Sequence, residues 1–140
     1  MTMPMQDRPL SRVCSDPELS PNEQKRPIEA LLRDGANLHE TDKNGVTPLH
    51  HAVRFRLPTA VRVLLKNGAD VNRCCKRSGS SALHRAVTFT GAPRPAGKKK
   101  ERTEIIRLLM KAGADTTIKN KNGKSAFDYA TDDETRALLS

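Results

Sequence analysis

Large rings are scarce in this chain. Trp is absent, and one Tyr and three Phe hold the aromatic share of 140 residues to 3%. A single deep core in a chain of this size rests on more bulky rings than that. The apolar residues are mostly Ala, Leu and Val, which suits many thin contacts between small neighbouring units. Long apolar runs are missing too, and none nears the roughly 18 residues that cross a membrane. The opening "MTMPMQDRPLSRVC" lacks the apolar stretch of a secretory signal. Cysteine is sparse. Cys14, Cys74 and Cys75 do not make a disulfide framework, and the adjacent pair is poorly placed to bond to itself. These absences point to an intracellular, cytoplasmic, reduced protein.

Catalytic and cofactor motifs are also missing. There is no HExxH, no Gly-rich phosphate loop and no nucleophile elbow. Cys74, Cys75, His39 and His84 could be recruited by zinc, but adjacent cysteines do not offer its usual C-x₂₋₄-C bite. Asp132, Asp133 and Glu134 cluster, yet they read best as negative charges at the start of a final helix. The expectation is no enzyme, no metal and no cofactor.

Acidic residues are thin in the middle of the chain. From Arg54 to Lys111 there are fifteen basic residues against three acidic ones, while the rest carries ten against thirteen, for a net charge of +9. A cationic block of this kind is a solvated surface, a site for nucleic-acid phosphates, or a face for an acidic protein. Stacking on bases would want exposed rings among the charges, and only Phe55, Phe89 and Tyr129 lie within reach.

What the chain does have is a repeat. "NGVTPLHHAV" at 44–53 returns as "SGSSALHRAV" at 78–87 and, more weakly, as "NGKSAFDYAT" at 122–131. "LLRDGANLH" at 31–39 returns as "LLKNGADVN" at 64–72 and "LMKAGADTT" at 109–117. Thr47 can cap a helix, and Pro48 at its first position needs no partner for its missing N–H. Leu49, Ala52 and Val53 follow at helical spacing on one apolar face. A second helix, about Thr59 to Lys66, carries Val61, Leu64 and Leu65, and Gly68 suits the left-handed turn that ends it. The turns "DKNG" and "KRSG" then project between units. At the N-terminus, Pro27 is expected to interrupt the helix that Ser20 and Pro21 begin, leaving Ile28 to Arg33 as the helix of the first unit. At the C-terminus, Thr131 or Asp132 can cap a short helix with Leu138 and Leu139 facing inward.

From Gly45 to Gly79 is 34 residues, and from Gly79 to Gly123 is 44. The excess falls between the two helices of one unit, in "GAPRPAGKKKER" at 91–102. Pro93 and Pro95 make its first half loop. From about Ala96 the residues favour helix, and they are expected to extend the following helix backwards by one to two turns. Lys98, Lys99, Lys100 and Arg102 would add charge to that side.

Both half-motifs, in register several times, closely resemble the ankyrin repeat, whose period is about 33 residues with a T-P-L-H-x-A signature. The resemblance covers about Pro27 to Ala130. It implies an all-α solenoid of helix-turn-helix units with β-hairpin-like turns, about four units including two degenerate caps. The expected boundaries are a flexible tail at 1–19 and a repeat domain at 20–140. Within it lie an N-cap unit at 20–41, repeats at 42–75 and 76–119, and a C-cap repeat at 120–140, the second repeat holding the insertion at about 90–101. Departures from the family are Ala82 and Ala126 in place of the helix-start Pro, expected to loosen those caps, and Arg56 in place of the usual Gly, expected to strain its turn. His39 stands where Asn is usual.

The resemblance implies a structural role for His50 and His84, bonding backbone between units. It also implies partner binding by the turn tips and the exposed sides of the first helices. Carried over, the binding residues are Lys43, Asn44, Val46, Arg54, Phe55, Arg77, Ser78, Phe89, Lys121 and Lys124, with Lys98, Lys99 and Lys100 from the insertion. Phe55 and Phe89 occupy equivalent places, either side by side in the groove or packed beneath the neighbouring turn. The expected function is a monomeric, non-catalytic interaction module for a protein partner, expected to be acidic by charge complementarity. The alternative is a binder of nucleic acid or another anionic surface.

Overall fold

The computed structural model describes residues 21–41, 43–54, 56–88, 99–130 and 133–139. The N-terminal tail, Cys14, Phe55, Phe89, the proline half of the insertion, Lys98, Thr131 and Asp132 lie outside the described residues. Seven helices are described: α1 Pro21–Arg33, α2 Pro48–Arg54, α3 Pro58–Lys66, α4 Ala82–Val87, α5 Lys99–Lys111, α6 Ala126–Tyr129 and α7 Asp133–Leu139. No strand occurs among these residues.

The helices form two parallel rows. The first helices of the units, α2, α4 and α6, pack on one another in order, and the second helices α1, α3, α5 and α7 do the same. Within a unit, α2 packs on α3 and α4 on α5. The core runs between the rows as Ile28, Leu49, Val53, Val61, Leu64, Leu83, Ile105, Ile106 and Leu109, all essentially inaccessible. Such a core is a chain of local interfaces, so each Leu stabilises its own junction, by roughly 1.5–3 kcal/mol from burial alone.

Local chemistry starts each first helix. Thr47 Oγ1 accepts from the His50 backbone N–H at 3.3 Å, and His50 Nδ1 accepts from the Thr47 N–H at 3.2 Å. Ser81 with His84 and Ser125 with Asp128 close the same reciprocal capping box. The expected loosening at Ala82 and Ala126 is therefore not found. The cap is made by the hydroxyl before that position and the side chain two places after it, and Pro only presets one dihedral.

Helix α3 ends as expected, with Gly68 at φ +98°. The Gly68 N–H reaches the Leu65 carbonyl and the Ala69 N–H the Leu64 carbonyl, which satisfies the last turn. Helix α2 ends on the same scheme, but the left-handed place is taken by Arg56 at φ +59°. A side chain there costs about 1–2 kcal/mol. It is held because Arg56 is buried and donates to the Val53 carbonyl at 3.1 Å and, in the next unit, to the Thr88 carbonyl at 3.1 Å.

Pro27 does not interrupt its helix. Residues 21–33 form one helix with Pro27 inside it. One intrahelical bond is missing there, but Ile28 and Leu31 are buried in the core and α1 packs on α3, so tertiary packing carries the helix through. Helix α5 has 13 residues where α3 has 9. Their C-termini are equivalent, so the insertion has lengthened the second helix by one turn.

Candidate functional site

Adjacent turn tips are joined by backbone. The Lys76 N–H donates to the Asn44 carbonyl at 2.8 Å, and the Lys121 N–H donates to the Ser78 carbonyl at 2.9 Å. The second and third of these tips also close on themselves, through Cys75 to Ser80 and Asn120 to Lys124. The approach is close: a Cβ on Gly45, already at φ +74°, would lie 2.8 Å from the Lys76 nitrogen. The tips therefore stand in fixed register, one per unit.

This register aligns the cations. Lys43, Arg77 and Lys121 occupy the same place on three successive tips, and all three are exposed. Lys76 and Lys124 beside them are exposed as well, as is Arg73 just before the middle tip. Asn44 and Ser78 are partly buried, their carbonyls taken by the next tip, and Ser78 Oγ also bonds Ser80 Oγ at 2.9 Å. Arg54 is exposed at the end of α2. Val46 is not on the tip surface: it is buried at 8% exposure, because the residue after Gly45 turns toward the helices. Phe55, Phe89 and Lys98 lie outside the described residues. Lys99 and Lys100 form the first positions of α5.

Arg102 corrects the picture of a wholly cationic insertion. It is buried, donating to the Val87 carbonyl at 3.3 Å and to Thr135 Oγ1 at 3.2 Å. It therefore ties α4 to α7 through α5. Burial and the nearby Arg102 together pull the Arg56 guanidinium below its usual range. Two of the block's fifteen cations thus work inside the stack. Another, Arg62 on α3, pairs with Glu104 on α5 at 2.6 Å, an exposed bridge of small worth.

The histidines are structural groups. His50 Nε2 donates to the Ser80 carbonyl at 3.2 Å, which leaves Nδ1 as the acceptor for Thr47 Oγ1 at 2.7 Å. Burial, with the Arg85 charge next, lowers the His50 pKa from 6.5 to about 4. His84 Nε2 likewise donates to the Lys124 carbonyl at 2.9 Å. With both ring nitrogens bonded to protein, neither imidazole is free to move a substrate proton. Sequence reasoning found the bond between units but missed the histidine's part in the cap. The signal was present as T-x-x-H and S-x-x-H, the spacing of a capping box.

Cys75 is buried. Burial raises its thiol, but hydrogen bonds from Ser78 and Arg85 outweigh this and bring it to about 7. Its Sγ lies 3.1 Å from Ser78 Oγ, with no adjoining base. Among the described residues, no three His, Cys, Asp or Glu side chains gather to hold a metal ion. None of the described helices is long and apolar enough to cross a membrane. Among the described residues the geometry offers an ordered cationic edge and no assembled catalytic group.

Comparison with known proteins agrees with this architecture. A family model described as ankyrin repeats (3 copies) matches residues 20–94, and a single ankyrin repeat matches residues 78–121. The chain is 30% identical over 113 residues to human BCL-6 corepressor-like protein 1, covering 81% of this chain and 6% of that protein. It is 36% identical over 106 residues to human ankyrin repeat and SOCS box protein 6, covering 75% of this chain and 23% of that protein. The chain thus spans less than a quarter of either relative. Among solved structures, the ankyrin repeat domain of Bcl-3 superposes with a TM-score of 0.70 at 31% identity, covering 84% of this chain and 47% of the other.

Proposed function

The chain belongs to the ankyrin-repeat family, and from that premise we propose that it is a non-catalytic module binding an acidic protein partner through its turn tips, groove and insertion. Ankyrin repeats generally mediate protein–protein interaction. The observation that carries the acidic partner is the row Lys43, Arg77 and Lys121, exposed and held in register by backbone bonds. Cations at fixed spacing steer an acidic surface and fix where it docks. Lys99 and Lys100 open the lengthened α5 and are the insertion's share of the binding residues. The module acts in the cytoplasm as a monomer.

Nucleic acid is the competing ligand for such a row. Among the described residues the large ring that is exposed is Phe127, in the unit of Lys121 and Lys124, and a stacking surface along the whole row would need more than this one. Capture from lysate of the native cell, with and without nuclease, separates the two. The proposal expects acidic proteins to remain after nuclease and to be lost when Lys43, Arg77 and Lys121 are all changed to Glu. Capture that disappears with nuclease would establish the nucleic-acid reading instead.

A further inference from the structure

The stack itself sets the spacing of the tips. Lys76 donates its backbone N–H to the Asn44 carbonyl, and Lys121 donates its own to the Ser78 carbonyl, at 2.8 and 2.9 Å. The same two lysines lay their side chains over the glycine of the preceding tip. A Cβ on Gly45 would meet Lys76 Cγ at 2.9 Å, and one on Gly79 would meet Lys121 Cγ at 3.3 Å. Each lysine stem is therefore seated on its neighbour, and only its outer half is left to swing. The step from one seat to the next is the step from one helix pair to the next, about 8–10 Å for packed helices.

The middle tip is one residue longer than the third. Its closing bond runs from the Cys75 N–H to the Ser80 carbonyl, five residues on, while the third tip closes from Asn120 to Lys124, four on. Counted from the start of the tip, Lys76 answers to Lys121; counted from the glycine, Arg77 does. This tip thus presents two cations, both exposed. Lys43 and Lys121 on either side are exposed as well, so the row offers a charge at every step. The Arg62–Glu104 pair belongs to α3 and α5 and takes none of these cations. Asp128 feels Lys124 and Lys119, which stand outside the row.

A partner segment can match this step in few ways. A strand added edge-on finds no ladder here, since no strand occurs among the described residues and the Asn44 and Ser78 carbonyls are already taken. A strand also shows one face about every 6.6 Å, short of the step. An α-helix returns to one face about every seven residues, roughly 10.5 Å, beyond it. A polyproline-II segment turns once in three residues of about 3.1 Å, so one face returns about every 9.3 Å, inside the step. We infer that the segment docked by the tips is an extended polyproline-II stretch with Asp or Glu at every third residue, one carboxylate to each tip. The inference rests on the acidic-partner reading above and gives that partner's segment its shape and period. Acids two or four residues apart would face different sides of the segment and fall about 6 Å out of step by the third tip. The polyproline-II backbone stays solvated, so it needs no backbone partner from the tips.

The test uses the full chain and synthetic proline-rich peptides of one length and one charge, with three Glu spaced by two, three or four residues. A further, helical peptide carries three Glu spaced by seven. Amide shifts in nitrogen-resolved NMR at low salt report where each binds, and titration reports how tightly. The three-spaced peptide is expected to shift Lys43, Arg77 and Lys121, and to bind about ten-fold more tightly than the two- and four-spaced ones. Changing Lys43, Lys76, Arg77 and Lys121 together to Gln, which keeps the seated Cγ, should remove that preference and leave the urea midpoint unchanged. The comparison of spacings on wild type stands without this variant. Equal affinity for all spacings would overturn the inference and leave the acidic-partner reading in place, and so would tighter binding of the helical peptide. A preference that survives the four substitutions would put the site elsewhere and overturn the inference as well. Acidic peptides that shift no tip amide would overturn both the inference and the reading beneath it.

Discussion

The inner junctions of the stack and its C-terminal face are written with one motif and finished differently. At the inner junctions, His50 and His84 each close a cap with one ring nitrogen and bond the next unit with the other. In the fourth unit, Asp128 closes the cap alone. Starting a helix and joining two units are therefore separable tasks, and one imidazole performs both only where a neighbour stands opposite. The apolar position beside it follows the same rule, buried as Leu49 and Leu83 and open as Phe127.

The largest expected effect breaks the inner side of this comparison. Leu49→Ala, Leu64→Ala and Leu83→Ala should each cost about 2–5 kcal/mol, as buried Leu truncations do. Phe127→Ala should change stability by less than about 0.5 kcal/mol, as exposed substitutions do. Urea unfolding of the four variants measures both sides at once. Similar midpoints for Leu83→Ala and Phe127→Ala would remove the distinction.

Acid should weaken an inner junction through His50. Its pKa is about 4 in the folded protein against an ordinary value of 6.5, so the unfolded chain takes up the proton first. The stability tied to neutral His50 is complete above about pH 6.5. It declines as pH falls and is gone just below pH 4, a loss on the order of 3 kcal/mol. Urea midpoints between pH 7 and pH 4 check this, and His50→Gln should flatten the decline over that window.

Much of this stack was legible as text. Both half-motifs, the Thr47 cap, the Gly68 turn and the lengthening of α5 follow from residue type and spacing. Whatever depended on a neighbour was not legible. Pro27 reads locally as a helix breaker, yet Ile28 and Leu31 are packed well enough to carry α1 through it. A count of charges places Arg56 and Arg102 on the surface, while the carbonyls that bury them belong to helix ends distant in sequence. Val46, expected on the tip surface, is buried because the residue after Gly45 turns inward. Of the expected interaction residues, the tip cations were the most readable, since an exposed turn needs no distant partner to be recognised.

Arg56 sharpens the comparison at a smaller scale. Gly there would relieve about 1–2 kcal/mol of left-handed strain but would remove the guanidinium's bonds to the Val53 and Thr88 carbonyls, Val53 keeping only the backbone N–H of residue 56. Hydrogen bonds from a charged group are worth about 1.5–3 kcal/mol each, so their loss outweighs the relief. Arg56→Gly should destabilise by about 1 kcal/mol, and Arg56→Ala, which keeps the strain, by about 2 kcal/mol or more. If Arg56→Gly proves more stable than wild type in urea, the buried bonds contribute less than the strain.

The smallest effect lies at the first junction. Asn72 holds the second junction by accepting the Asp115 N–H at 2.7 Å and donating to the Gly113 carbonyl at 3.3 Å. His39 stands at the equivalent place in the first unit and is exposed. His39→Asn should recreate this bridge toward Gly68 and Asp70, raising stability by about 0.5–1 kcal/mol. A thermal midpoint unchanged or lowered would show that the first junction differs in shape.

The central claim, that the tip cations recognise an acidic partner, is tested most directly by association kinetics. The captured partner is to be mixed with wild type and with the Lys43→Glu, Arg77→Glu, Lys121→Glu triple variant across a salt series. The variant should associate about ten-fold more slowly or worse at low salt, with most of the salt dependence gone. Equal association rates and equal salt slopes would contradict the claim and leave the row of tip cations a solvated edge.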